Sequence, residues 1–218
     1  MTLAQRWQRY WYAPIPAIRL DAFRQALLFS LVLYMLHRYM HASEWLSTAG
    51  FHPSAAADRY NAPQLPLLSP GMIPLFGLGL FGSLALALFG WLRRYATWLA
   101  FFLVVYATYA DPIAAFTLNR IYCFSLLILA IAPSPSPAGP DGEPTMIAWP
   151  VRLLQLQLLL HYCASGLCKA IQGRWLTDSD LLWFQMQEIY MTDAAAYLVR
   201  TLPPWAFTAQ QALALGFE

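Results

Sequence analysis

A chain of 218 residues with 59% hydrophobic and 11% charged side chains holds about half the charge of an ordinary soluble domain. Its mean hydropathy of +0.46 points to a bilayer protein. With 13 Lys and Arg against 11 Asp and Glu there is no basic surplus to attract nucleic acid, so no nucleic-acid partner is expected. The three cysteines form no CxxC or CxxCH pair and no phosphate-binding glycine loop occurs, which removes thioredoxin-type redox work and covalent haem attachment.

The N-terminal stretch MTLAQRWQRYWYAPIPAIRLDAFRQ sets Arg6, Arg9, Arg19 and Arg24 among Trp7, Tyr10, Trp11 and Tyr12. It has no small-residue cleavage site, so residues 1–20 read as an interfacial segment on the cytoplasmic side, not a signal peptide. A first apolar span follows over about Ala22–Met40, and then a long outer loop over 41–71. That loop carries four prolines and several aromatics, the composition of a structured cap. The second span is Met72–Leu92, the third Tyr95–Ala110, with the tight hairpin Trp91-Leu92-Arg93-Arg94 between them on the cytoplasmic side. The fourth is about Ile113–Ala132.

APSPSPAGPDGEP, Ala132 to Pro144, cannot be helix or strand and marks a Pro-rich cytoplasmic loop over 133–146. The fifth span is about Ile147–Ile171. Asp178–Arg200 alternates apolar and polar residues at helical spacing, Leu181, Phe184 and Ile189 against Asp180, Gln185 and Asp193, and reads as one helix lying on the outer surface. A sixth span begins near Pro203 and is still apolar at Glu218, as in a fragment or a minimal form of the domain. Spans of about 20 apolar residues in lipid must be helices, and the alternation of a membrane barrel is absent. The fold class is therefore all-α: a polytopic helical membrane protein of about five to six transmembrane helices plus an outer interfacial helix, a single domain over 1–218. Its N-terminus is cytoplasmic, and the bacterial inner membrane is the expected location.

Chemistry concentrates in the fifth span. Of the 13 basic residues only Lys169 is lysine. Arginine stays protonated, whereas a partly desolvated lysine can lose its proton and serve as a base. The plainer role is a snorkelling anchor at a helix end. His161, Ser165 and Lys169 follow at steps of four and line one helix face, with Cys168 close to it and Gln155 and Gln157 deeper in the span. Gly166 would let a second backbone approach at the level of the lysine. Such a face serves either as inter-helix bonding or as a polar pocket, with Arg24, Arg120 and Glu218 as available partners. His37 and His41 stand four apart but have no third ligand grouped with them, so no metal is expected. Cys123, Cys163 and Cys168 read as small apolar residues of the helices.

In order and spacing, Trp149, Arg152, Gln155, Tyr162, the Ser165-Gly166-Leu167-x-Lys169 turn and Trp175 resemble the horizontally transferred transmembrane domain family, related to the membrane part of vitamin K-dependent gamma-carboxylases. Arg24 in the DAFR stretch, the Asp111-Pro112 turn and the helix ending at Glu218 resemble the family more loosely. The resemblance implies that Lys169 occupies the position of the proposed base that works with vitamin K hydroquinone. Two features depart from it: DPIAAFTLNRIYCF holds no histidine where the carboxylases carry one, and the large extramembrane domain of the carboxylases is not expected here.

Three functions follow. The first is a non-catalytic accessory or scaffolding subunit of a respiratory or photosynthetic membrane assembly, holding a quinone or lipid, with the bilayer and other membrane subunits as partners. The second is a membrane enzyme with Lys169 as base, and His161 beside it, in quinone-linked or carboxylase-like chemistry. Its binding pocket would comprise Ser165, Gly166, Cys168, Gln155, Arg24 and Arg120. The third is a small-solute transporter, although no inverted repeat is present.

Overall fold

In a chain so poor in polar side chains, backbone N–H and C=O groups find partners mainly in one another. The computed structural model describes residues 1–50, 52, 65–110, 117–136, 143–171, 175, 178, 181–187 and 191–217, and among these it is mostly helical. Two compact units divide the chain, Met1–Gln155 and Leu156–Glu218.

The first unit opens with α1 (Leu3–Tyr12), started by a capping box in which Thr2 and Gln5 satisfy each other's backbone N–H. No α1 residue is buried, and Trp7, Tyr10 and Tyr12 are exposed. A short antiparallel ladder follows between β1 (Pro14–Pro16) and β2 (Thr145–Ile147), with Ile15 opposite Met146. Two prolines in so short a strand are tolerated because its outer edge needs no ladder donors.

Next come α2 (Ile18–Tyr39), the single turn α3 (Ala42–Trp45), α4 (Ile73–Leu88) after a 3-10 turn at Pro70–Met72, α5 (Arg93–Ala110) and α6 (Thr117–Ile131). α5 packs between α4 and α6, while α2 lies against α4 and α6. The described ends of the 41–71 loop are fastened in place. Thr48 N–H donates to the Leu68 carbonyl (2.9 Å) and Leu65 N–H to the Tyr109 carbonyl (2.9 Å).

Small side chains make these interfaces. α5 buries Ala96, Thr97, Ala100, Val104, Ala107, Thr108 and Ala110, and α4 buries Gly77, Ser83 and Ala87 beside Leu80 and Leu84. Leu28, Leu31, Leu46 and Leu126 fill the core beside them, while many other large apolar groups face outward: Leu78 is 73% exposed and Phe102 59%, and Phe29, Leu33, Leu75, Leu99 and Phe124 are exposed as well. The buried hydroxyls bond back to their own helices, Thr97 to the Arg93 carbonyl (2.7 Å) and Thr108 to the Val104 carbonyl (2.8 Å). Close backbone approach through small residues raises van der Waals contact where lipid, not water, is the alternative neighbour.

Gly77 lets α2 and α4 approach closely, since a Cβ there would overlap the Tyr39 ring. That ring is held by a hydrogen bond from its hydroxyl to the Ile73 carbonyl (3.0 Å) and by an edge contact with Phe81. Gly77→Ala is expected to cost about 1–3 kcal/mol by overpacking, read as a lower thermal midpoint in detergent. An unchanged midpoint would show that Tyr39 moves aside freely.

The second unit contains most of α7 (Trp149–Ile171), then α8 (Leu181–Gln185), α9 (Asp193–Thr201) and α10 (Pro204–Phe217). α8 packs on α10, and the Tyr162 ring meets Phe217 edge-on at 5.8 Å.

Each of the six expected spans overlaps a helix, but among the described residues one helix, Pro70–Leu88 with 19 residues, is long and apolar enough to cross a membrane. Charges dilute α2 through Arg19, Asp21, Arg24 and Arg38, arginines and tyrosines dilute α5, glutamines dilute α7, and α10 has only 14 residues. Three expectations are corrected. Residues 178–200 do not form one surface helix: Thr192 is extended and accepts the Ala195 N–H (3.2 Å), starting α9 afresh after α8. The fifth helix begins at Trp149, because Thr145–Ile147 pairs with β1 and Ala148 N–H bonds the Ala13 carbonyl (3.1 Å). The Pro-rich loop is not wholly free of pairing, since Ser136 bridges Thr145. Residues 53–64 of the outer loop, the Asp111-Pro112 turn, residues 137–142, Asp180, Ile189 and Glu218 lie outside the described residues.

Candidate functional site

The polar face of α7 from Gln157 onward is its half-buried face. Gln157, His161, Ser165 and Lys169 are half-buried and Gly166 is buried, while Leu158, Leu159, Leu160, Tyr162, Cys163, Leu167 and Cys168 are exposed. A water-facing helix would show the reverse. The steps of four that put His161, Ser165 and Lys169 on one face therefore also select the covered face.

His161 Nδ1 lies 3.0 Å from the Gln157 carbonyl. A carbonyl only accepts, so Nδ1 carries the hydrogen and Nε2 of the neutral ring is left as an acceptor. Lys169 Nζ stands 4.8 Å from the centroid of the Trp175 ring. The ring face attracts the ammonium, whereas a general base needs the neutral amine. Trp175 is itself placed by α10. Gln211, 3% exposed, donates from Nε2 to the carbonyls of Trp175 (2.7 Å) and Asp178 (2.8 Å), and its Oε1 accepts the Leu182 N–H (3.2 Å). One amide thus fastens the segment that carries the aromatic partner of Lys169. Gln211 is a residue that sequence reasoning missed; the available signal was the pair Gln210-Gln211 inside an otherwise apolar helix.

The other candidates belong to the first unit. Gln155 is exposed and accepts from Arg152 Nη1 (3.0 Å), whose guanidinium also covers the Tyr10 ring at 4.6 Å. Arg120 is exposed at the start of α6. Arg24 is buried, with 4% exposure, and its Nη1 bonds Asp21 Oδ1 at 2.8 Å. His161, Ser165, Gly166, Cys168 and Lys169 are thus gathered in the second unit, and Arg24, Arg120 and Gln155 fall in the first. His37 and His41 are exposed, and His41 lies 3.6 Å from Glu44. Among the described residues no three His, Cys, Asp or Glu side chains group as metal ligands. Cys123 Sγ is 3.6 Å from Thr108 Oγ1.

A second polar cluster, also missed, joins α2 to α6. The Tyr34 hydroxyl donates to Asn119 Oδ1 and receives Arg38 Nη1 (3.2 Å), while the Tyr122 hydroxyl donates to Ser30 (3.2 Å). Arg38 caps it, lying 4.3 Å from the Trp45 ring. Polar groups so connected, with Asn119 and Tyr122 buried among them, fix one helix register.

Comparisons with family models, curated proteins and solved structures find no match to this chain.

Proposed function

We propose that this chain is a polytopic integral membrane protein of the horizontally transferred transmembrane type. It serves as a non-catalytic accessory or scaffolding subunit of a larger respiratory or photosynthetic assembly in a bacterial inner membrane. α2, α4, α5, α6, α7 and α10 cross or enter the bilayer with the N-terminus cytoplasmic, and α1 lies in the interface. The observation that carries this reading is the large number of big apolar side chains left on the outside of the helices, such as Phe29, Leu78, Phe102 and Phe124, around a core in which α4 and α5 approach closely through small residues. Such a surface asks for lipid or another membrane subunit as its neighbour. Lys169 and Trp175 are the groups that would hold a quinone or lipid headgroup, through an ammonium donor and a flat apolar ring.

The second reading, an enzyme with Lys169 as base, is favoured by the covered His161–Ser165–Lys169 face. The attraction of the Trp175 ring for the ammonium weighs against it.

Two measurements test the proposal together. Cysteines introduced at Ser134 and Ser136 should react with a membrane-impermeant reagent only from the cytoplasmic side, and cysteines in 53–64 only from outside. Gentle extraction should recover a stoichiometric membrane partner. Labelling with the opposite polarity overturns the orientation, and a protein that runs alone as a monomer removes the subunit reading.

A further inference from the structure

The α4–α5 hairpin turns through Gly90 (φ 78°) and Leu92 (φ 49°) and delivers Arg93 and Arg94 beside the start of α2. There they line, with Arg24, Thr97, Leu129, Ala132, Pro133, Ser134 and Pro135, a cavity of about 240 Å3. One carboxylate serves two of these three guanidinium groups. Asp21 Oδ1 accepts Arg24 Nη1 at 2.8 Å and Arg93 Nη2 at 3.0 Å. Arg94 has no carboxylate partner among the described residues. The cavity therefore holds two positive charges in excess.

Arg24 is 4% exposed, and its Nε is buried with no acceptor among the described residues. A buried guanidinium with one N–H unsatisfied is costly unless something completes it. The first-turn N–H groups of α5 and its positive dipole end lie at the same place. Thr97 adds no donor, because its hydroxyl already bonds the Arg93 carbonyl (2.7 Å). The competing role for these arginines is to serve the C-terminal carbonyls of α6, which ends at Ile131 beside the cavity.

We infer that this cavity binds a phosphate-type oxyanion, with Arg24 and Arg94 as its principal donors and Arg93 held between the anion and Asp21. Guanidinium groups match the planar spacing of phosphate oxygens and bond them in pairs. The ligand is either the phosphate of an anionic lipid headgroup or a soluble phosphate. The cavity lies at the same end of the first unit as Arg19 and the Pro-rich loop, the end at which basic residues meet anionic headgroups in a membrane of the proposed orientation. Anion binding by the purified chain does not depend on the subunit reading, so the two can fail separately.

The test is thermal unfolding of the purified full chain under two titrations. One adds inorganic phosphate at constant ionic strength, with chloride as the balancing ion. The other adds phosphatidylglycerol to detergent micelles, with phosphatidylcholine as the control. The midpoint of the wild-type chain should rise with at least one anionic probe. Arg94→Gln, at an exposed position, should fold normally and bind that probe about tenfold or more weakly; Arg24→Met should lose the response altogether. A response to phosphate alone identifies a soluble ligand, and a response to phosphatidylglycerol alone identifies a headgroup. If neither probe moves the midpoint, or if Arg94→Gln responds as fully as wild type, the arginines only serve the carbonyls of α6 and the inference is overturned.

Discussion

Gln211→Leu is expected to expose Lys169 to a lysine-specific protease about a hundredfold faster than in the wild-type chain. The substitution keeps the volume of the buried side chain but strands the carbonyls of Trp175 and Asp178 and the N–H of Leu182. Trp175 and Leu182 are half-buried and lose about 1–3 kcal/mol each when left unpaired, whereas exposed Asp178 can turn to water, so the sum is roughly 3 kcal/mol. Cleavage follows the population of the open form when opening is fast, and about 1.4 kcal/mol corresponds to tenfold. The chain provides its own reporter, because Lys169 is its only lysine and a single cut gives two fragments of known size. Gln210→Leu, at the exposed neighbouring position, is the control and should change the rate less than twofold. Gln211→Glu should resemble Gln211→Leu, since a carboxylate has no hydrogen to give to either carbonyl. Cleavage of Gln211→Leu at the wild-type rate would mean that the segment carrying Trp175 is held by other contacts.

The same residues show which parts of the molecule could be read from the sequence. Helices at the apolar spans were legible because a run of some 20 apolar residues has few other ways to satisfy its backbone. Their boundaries were less so. Pro14–Pro16 and Thr145–Ile147 are too short to show an alternation, and their pairing joins positions 131 residues apart, as with Ile15 and Met146. The side-chain period over 178–200 continues through a real break. Thr192, an N-cap, interrupts the backbone without disturbing the pattern of apolar residues around it.

The polar face of α7 was legible from spacing alone, since a step of four places His161, Ser165 and Lys169 in line wherever the helix lies. What meets that face was not. Trp175 is six residues from Lys169 and in reach of inspection, but Gln211 acts on positions 29 to 36 residues before it. Arg24 stood out as an ionisable residue in the first span. Its link to Asp21 is local at i,i+3, whereas the approach of Arg93 and Arg94 requires the α4–α5 hairpin to fold back to α2. Arg24 already has a carboxylate partner, Asp21, in its own unit, so its placement there involves no contact with Lys169.

Lys169 itself should prove intolerant of arginine. A snorkelling anchor requires only a charge and a flexible stem, so Lys169→Arg would then be silent. The half-buried face it shares with His161 and Ser165, one helical turn from buried Gly166, leaves less room for the bulkier guanidinium. The Trp175 contact by itself would accept either cation, because arginine stacks on indole as readily as lysine. A defect in Lys169→Arg therefore reports on the tight polar surroundings and not on the ring. Trp175→Leu isolates the ring, and its expected effect is smaller, about 0.5–2 kcal/mol. Lys169→Met then separates chemistry from structure. If the methionine variant assembles with its partner but loses ligand binding or turnover, the amine acts on a ligand. If it fails to assemble, the charge and hydrogen bonds of the lysine hold the second unit together, which the accessory-subunit reading expects. Wild-type assembly and binding in both Lys169→Arg and Lys169→Met would reduce Lys169 to an anchor at the end of α7.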